Sequence, residues 1–254
     1  MTHLCAPCQS GSSIKKRLLW ASIASAISMA ALTVVPAANA EAPLETDGAE
    51  TESEGAFEAA AQIFTEEDSR GLEVEVGYVP FENIEIEIEV ETAQNSADDP
   101  ASRESEAGFS LKWVPEQSGQ GLAYGVRFSI GRELEDDRQG EKEYETERSV
   151  VGVFSYDFQS GPKVHFNIGM AHEAAEEEDE ESEFVTIYAL GMEKRISRRF
   201  TVTGEVYGEA NARATQALGL RYKASGDTSI FARLGRTGDE SFAAIGVAFE
   251  FEPD

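Results

Sequence analysis

Over residues 83–91, Glu85, Glu87, Glu89 and Glu91 alternate with Ile84, Ile86, Ile88 and Val90. A period of two puts all four carboxylates on one face of a strand and the aliphatics on the other. Glu73 and Glu75 repeat the pattern just before, between Leu72, Val74 and Val76. These six carboxylates make one acidic wall. Lys112, Arg127, Lys163, Arg221, Lys223 and Arg233 fall on the polar faces of later segments of the same kind. Acidic and basic walls facing across an enclosed space set up a transverse field that selects small polar or charged solutes. The other outcome is that they pair and fill a closed interior, as in small barrels. Six stacked carboxylates cannot all remain charged and unpaired in a dry space. Either water enters or the bases neutralise them.

Catalytic chemistry has less to stand on. Beyond residue 40 the histidines are His165 and His172. His165 lies on a polar face, with Ser155 on a segment that could neighbour it, but a hydrolase needs serine, histidine and a carboxylate to converge. A histidine in a polar network is the plainer reading, and no catalytic residue is assigned. His165 and His172 stand seven apart, which on a strand separates them too far for one metal. Residues 173–183 hold Glu176, Glu177, Glu178, Asp179, Glu180 and Glu181. That carboxylate density suits weak Ca²⁺ or Mg²⁺ capture, yet no glycine-turned calcium loop is present, and a solvated external loop is expected. No metal and no cofactor are assigned.

The elements that would position these groups recur along the chain. Apolar faces run through Phe109-Leu111-Trp113, Leu122-Tyr124-Val126-Phe128-Ile130, Val150-Gly152-Phe154-Tyr156 and Val164-Phe166-Ile168-Met170. They continue through Phe184-Tyr188-Leu190-Met192, Phe200-Val202-Val206, Leu218-Leu220-Tyr222, Ile230-Ala232-Leu234 and Ile245-Val247-Phe249-Phe251. With the two acidic segments this makes eleven strands. A weaker twelfth covers 55–64, where Glu58-Ala-Ala-Ala-Gln62 could equally form a short helix. Connections alternate short (79–83, 115–120, 159–162, 195–199, 224–227) and longer (93–106, 132–146, 173–183), with a modest one at 209–213 and a tight one at 237–240. Outer-membrane barrels have short periplasmic turns and longer external loops. Counting back from a periplasmic C-terminus, the short turns all fall inside, and parity then requires the strand at 55–64. Tyr78, Phe81, Trp113, Phe158, Phe200, Tyr222 and Phe251 flank the short-turn side; Phe109, Tyr144, Phe184 and Phe242 flank the other. Two such bands match the aromatic girdles of a membrane span. A soluble sandwich would alternate equally but hide its apolar face. The expected fold is an all-β, antiparallel up-and-down transmembrane β-barrel of about twelve strands, with ten as the alternative.

Residues 1–40 carry a positive Lys15-Lys16-Arg17 cluster, an apolar stretch to Val35, and Ala38-Asn39-Ala40. That is a signal peptide, expected to be cleaved before Glu41. Pro36 argues against a retained membrane helix. Cys5 and Cys8 both precede the basic cluster and leave with it. Its removal takes three bases and no acid from a net charge of −27. An excess of acid excludes nucleic acid as a partner. Residues 41–54, acidic and aperiodic, are expected to be a disordered tail, followed by the barrel over 55–254.

Two resemblances follow from these residues. Gly246-Val-Ala-Phe249-Glu-Phe251 resembles the C-terminal signal read by the barrel-assembly machinery, with Ala244 where a polar residue is usual and Glu252-Pro253-Asp254 beyond the final aromatic. The stretch from about 163 to 251, through His165-Phe-Asn-Ile-Gly-Met170, Phe200-Thr-Val-Thr-Gly-Glu-Val-Tyr-Gly208, Ala217-Leu-Gly-Leu-Arg-Tyr222 and Ile245-Gly-Val-Ala-Phe249, is similar to the family of outer-membrane channels associated with the phenol-degradation meta-cleavage pathway. That resemblance implies passage of apolar or aromatic compounds and transfers no site residue. The expected protein is a porin-like monomer in the outer membrane of a Gram-negative bacterium, in contact with outer-membrane lipid, the assembly machinery and a small-molecule solute. A non-conducting structural or adhesive barrel with acidic loops is the alternative, and a lipid-modifying barrel enzyme the third.

Overall fold

The computed structural model describes residues 44–96, 102–116, 121–136, 142–159, 161–175 and 182–252. The expected signal peptide and the acidic run 176–181 lie outside them. The described residues belong to one compact unit, Val35–Asp254. Among them no helix is long and apolar enough to cross a membrane.

Twelve strands follow in order: β1 Phe57–Thr65, β2 Ser69–Phe81, β3 Ile84–Asn95, β4 Ser102–Glu116, β5 Gly121–Asp136, β6 Lys142–Asp157, β7 Lys163–Ala175, β8 Glu183–Arg195, β9 Phe200–Glu209, β10 Thr215–Lys223, β11 Thr228–Thr237 and β12 Glu240–Phe251. Each pairs antiparallel with its sequence neighbours, and β1 pairs with β12, so the sheet closes and has no edge. The expected twelve-strand barrel is the fold observed. β1 is a strand throughout, with Phe57 opposite Phe251 and Thr65 opposite Ala243; the helix and the ten-strand alternative do not form.

Alternation decides which way each strand faces. Ile88, Val90, Phe128, Ile130, Phe154, Met170, Leu190, Leu220, Ile230, Ile245 and Phe249 all point outward and are exposed. Their neighbours Glu87, Arg127, Ser129, Ser155, Ala189, Ser229, Ala244 and Ala248 point inward and are buried. The exterior is therefore an apolar belt and the interior largely polar, the reverse of a sandwich.

Two expectations about the connections need correction. Residues 93–106 and 132–146, expected as loops, are mostly strand: β3 reaches Asn95, β4 starts at Ser102, β5 reaches Asp136 and β6 starts at Lys142. β5 and β6 are 16 residues long, against nine for β1 and β10. At ~3.4 Å per residue they measure ~54 Å, well beyond the ~25 Å apolar band of a membrane barrel. Apart from Leu134 opposite Tyr144, these extensions are largely polar on both faces, so they carry no sustained hydrophobic alternation, yet their backbone ladder continues. Arg132 covers the Tyr144 ring at 4.7 Å there. Phe242, expected in the second girdle, turns inward. Gly235 stands directly opposite it across the β11–β12 ladder and makes room for the ring, and the Arg233 guanidinium lies 5.0 Å from the ring centre.

The rim holding the start of β1 and the end of β12 is called the termini rim. Its tightest hairpin, between β2 and β3, turns through Asn83 at φ 76°, a left-handed conformation that asparagine tolerates.

Candidate functional site

The inward face places the sequence-predicted residues on two arcs. Glu73, Glu75, Glu85, Glu87, Glu89 and Glu91 lie on β2 and β3. Lys112 and Arg127 follow on β4 and β5, Lys163 and His165 on β7, Arg221 on β10 and Arg233 on β11. Glu75, Glu85, Glu87, Lys112, Arg127 and His165 are buried; the other six are half-buried. His172 sits on the opposite face of β7 from His165, against the Phe184 ring at 4.5 Å, so the two histidines share no site.

What the sequence did not reveal is the occupant of this lumen. Residues 41–54 are expected to be disordered, but 44–54 run inside the barrel as a strap held by side chains from six strands, β4, β5, β6, β7, β9 and β11, and Gly55-Ala56 lead from it into β1. At the termini rim Gly55 N–H donates to the Val79 carbonyl at 2.7 Å and Val79 N–H returns a bond to Ala56 at 3.1 Å. Glu50 pairs with Lys163. Ala49 N–H donates to Ser155 Oγ at 2.7 Å. Asn167 clasps Asp47 from both sides, accepting its N–H at 2.7 Å and donating to its carbonyl at 2.8 Å. The Asp47 carboxylate crosses to Lys112 at 3.2 Å and Arg127 at 3.5 Å. Glu45 and Thr46 donate their N–H groups to Glu205 Oε2 at 2.8 and 3.0 Å. Glu45 itself pairs with Arg233.

Three strap acids thus meet four of the predicted bases. Other pairs lie within the wall: Lys112 with Glu85 at 3.2 Å, Arg221 with Glu193 at 2.9 Å, Lys163 with Glu193 at 3.7 Å and Arg233 with Glu205 at 3.9 Å. Leu44 and Ala49 are buried, and so are Val151, Val153, Ile187 and Ala189 on the inward faces of β6 and β8. The strap crosses β8 where Gly191 stands; a Cβ there would meet the Thr46 side chain at 2.8 Å. It runs from the termini rim to mid-barrel: Lys163 opens β7 and Lys112 lies four residues from the end of β4 at that rim, whereas Glu205 and Arg233 are each the sixth of ten residues in β9 and β11. A polar cavity of about 300 Å³ opens beside it at that rim, between Glu50, Lys163, Glu193, Arg221 and Lys223.

The Ser155–His165 pair suggested by the sequence does form, at 2.8 Å. Both side chains are buried beneath the strap, and Ser155 Oγ receives the Ala49 N–H. The pair anchors a backbone. The assembly-signal residues divide: Phe249 and Phe251 face outward and are exposed, whereas Gly246 faces inward. A Cβ on Gly246 would run into the Phe231 ring and come within 2.6 Å of the Ala61 carbonyl. Gly246 therefore has a packing role whatever else reads it.

Sequence reasoning missed Glu45, Asp47, Glu50, Asn167, Glu205 and the inward Phe231. The one available signal was charge: an acidic stretch placed just ahead of a strand series whose polar faces carry the bases.

No protein-family model matches the chain, and no curated protein sequence matches it. Among solved structures it is similar in fold to the KdgM porin in complex with disordered oligogalacturonate, with a TM-score of 0.56 and 10% identity over 77% of this chain and 99% of that one. It is similar to the COG4313 outer membrane channel from Pseudomonas putida F1, with a TM-score of 0.56 and 8% identity over 80% and 97%. It is similar also to the translocator domain of autotransporter NalP from Neisseria meningitidis, with a TM-score of 0.51 and 12% identity over 93% and 98%. The chain has the fold of bacterial outer-membrane barrels, and that fold hosts more than one activity.

Proposed function

We propose that this protein, with its leader removed after Ala40, is a monomeric outer-membrane channel for small solutes, closed at rest by its own N-terminal strap. The observation that carries the reading is the strap: Glu45, Asp47 and Glu50 lie on Arg233, Lys112, Arg127 and Lys163 inside the lumen, from the termini rim to mid-barrel. An acidic segment held on basic side chains inside a barrel can leave by exchanging those ion pairs for water, and what it vacates is a wet, basic passage. Apolar or aromatic compounds are the proposed solutes. The sequence resemblance suggests them, and the inward Val151, Val153, Ile187 and Phe231 give such compounds surface to cross.

The alternative, a non-conducting structural barrel, is favoured by the same ion pairs if the strap never leaves. Conductance separates the two. The refolded protein and a variant lacking residues 41–54 are compared in planar bilayers. The channel reading expects the variant to conduct at least several-fold more. Equal, negligible currents from both would establish the structural barrel instead.

A further inference from the structure

We propose that the acidic arc of the lumen is a binding site for a divalent cation of calcium type, formed by Glu73, Glu89 and Glu91 with Glu75 beside them. The strand register brings these groups together. The β2–β3 ladder sets Glu73 directly opposite Glu91 and Glu75 directly opposite Glu89. The row then continues with Glu91 opposite Glu106, Glu106 opposite Glu133, and Glu133 opposite Glu145. Five consecutive strands, β2 to β6, each place a carboxylate in one lateral row. Like charges directly opposite in a sheet repel and destabilise it. The bases of the lumen relieve this row only in part: Arg233 offsets some of the charge at Glu73, while the others are engaged with the strap and with Glu85 and Glu193. Glu45 of the strap adds its own negative charge to the field at Glu73, Glu89 and Glu91.

Geometry makes the row a site. One carboxylate oxygen each from Glu73, Glu89 and Glu91 lies within 4.8 Å of the others. Calcium takes oxygens at about 2.3–2.6 Å, so ligands across it stand up to ~5 Å apart, whereas magnesium at about 2.0–2.1 Å draws them within ~4.2 Å. Glu89 supplies the second, independent sign: its Oε2 is buried without a hydrogen-bond partner. Glu75, 7% exposed, lies on the same face as Glu73 and directly across from Glu89. Burying such oxygens with neither donor nor cation is costly. Gln62 Nε2 donates to Glu73 Oε2 at 2.6 Å and holds that carboxylate in place. The donor set is carboxylate oxygen alone, which suits a hard cation and gives a soft metal nothing to prefer.

The site does not require the barrel to conduct, so its test is a binding test. The full protein is purified and refolded in lipopolysaccharide-free detergent, chelator-treated, and titrated with CaCl₂ calorimetrically. One saturable site with Kd on the order of 10⁻⁴–10⁻³ M is expected. MgCl₂ is expected to bind at least several-fold more weakly. In the double variant Glu73→Gln/Glu91→Gln the affinity falls ten-fold or more, while Glu252→Gln at the termini rim leaves it unchanged. An isotherm unaltered by the double variant overturns the proposal, since the acids responsible would lie elsewhere. A wild-type melting midpoint that does not rise between zero and 10 mM Ca²⁺ overturns it too, and needs no variant to fold. Calcium binding by a barrel that passes no current even when residues 41–54 are deleted would leave this site standing and remove the channel.

Discussion

Asp47 and Lys112 face each other 3.2 Å apart with side chains no more than 2% exposed, although 65 positions separate them in the chain. One belongs to an acidic stretch that precedes the barrel, the other to the inward face of β4. Arg127 completes the contact from β5 at 3.5 Å. Removing one partner of a buried pair leaves an uncompensated charge and costs about 3–5 kcal/mol. Asp47→Ala is therefore expected to free the strap, because releasing it to hydrate Lys112 and Arg127 costs less than keeping it in place. The readout is single-channel current, several-fold higher than wild type, with the unboiled gel mobility of a folded barrel retained. A current equal to wild type would count against the strap as the closing element.

The acidic arc makes a separate prediction. Glu87 accepts a bond from Ser110 at 2.6 Å, and Glu89 keeps a buried oxygen without one. Once the strap is deleted, Glu87→Gln/Glu89→Gln is expected to lower the cation-to-anion permeability ratio measured as a reversal potential under a salt gradient. An unchanged ratio would mean that permeating ions do not pass these carboxylates.

Gly246 and Phe249 are expected to fail in different ways. Gly246 lies against the Phe231 ring and the Ala61 backbone, so even alanine must displace one of them. Gly246→Ala should lower the yield of folded barrel in detergent alone, and Phe231→Ala should restore part of it. Phe249 points outward and touches no inward neighbour of this kind. Phe249→Ala should fold in detergent at near wild-type yield and lose assembly only in cells. Equal yields of Gly246→Ala and wild type in detergent would leave Gly246 as a recognition residue alone.

How much of this was legible depends on the residue. β3 announced itself because isoleucine and glutamate differ so strongly that a period of two could not be mistaken. β1 did not, since Ala59, Ala60 and Ala61 suit either face and also a helix; only parity called for it. The extensions of β3 to β6 were hidden because Glu104, Arg132, Glu133 and Glu145 are polar on whichever face they stand. Phe231 and Phe242 fall on the inward face by alternation alone, since Ile230-Ala232-Leu234 and Ile245-Val247-Phe249 take the outward one; what was hidden is the glycine on the adjacent strand, 246 or 235, that makes room for each ring, and a single sequence does not show cross-strand neighbours. The strap was the largest omission. Glu45, Asp47 and Glu50 have no regular spacing, so nothing periodic marked them. Their partners come from five strands that meet only once the barrel closes.

The most direct test uses the crossing of the strap over β8. A Cβ at position 191 would stand 2.8 Å from the Thr46 Cβ, close enough that a small shift brings two cysteines to the ~3.8 Å of a disulfide. No other cysteine remains once residues 1–40 are removed. In the Asp47→Ala background, where the strap is expected to be released, Thr46→Cys/Gly191→Cys is oxidised, the cross-link is verified by mass, and the protein is inserted into a planar bilayer. Current is expected to stay near zero until a reductant is added and then to rise at least several-fold. A cross-linked barrel that conducts equally before and after reduction would contradict a lumen closed by its own N-terminal strap.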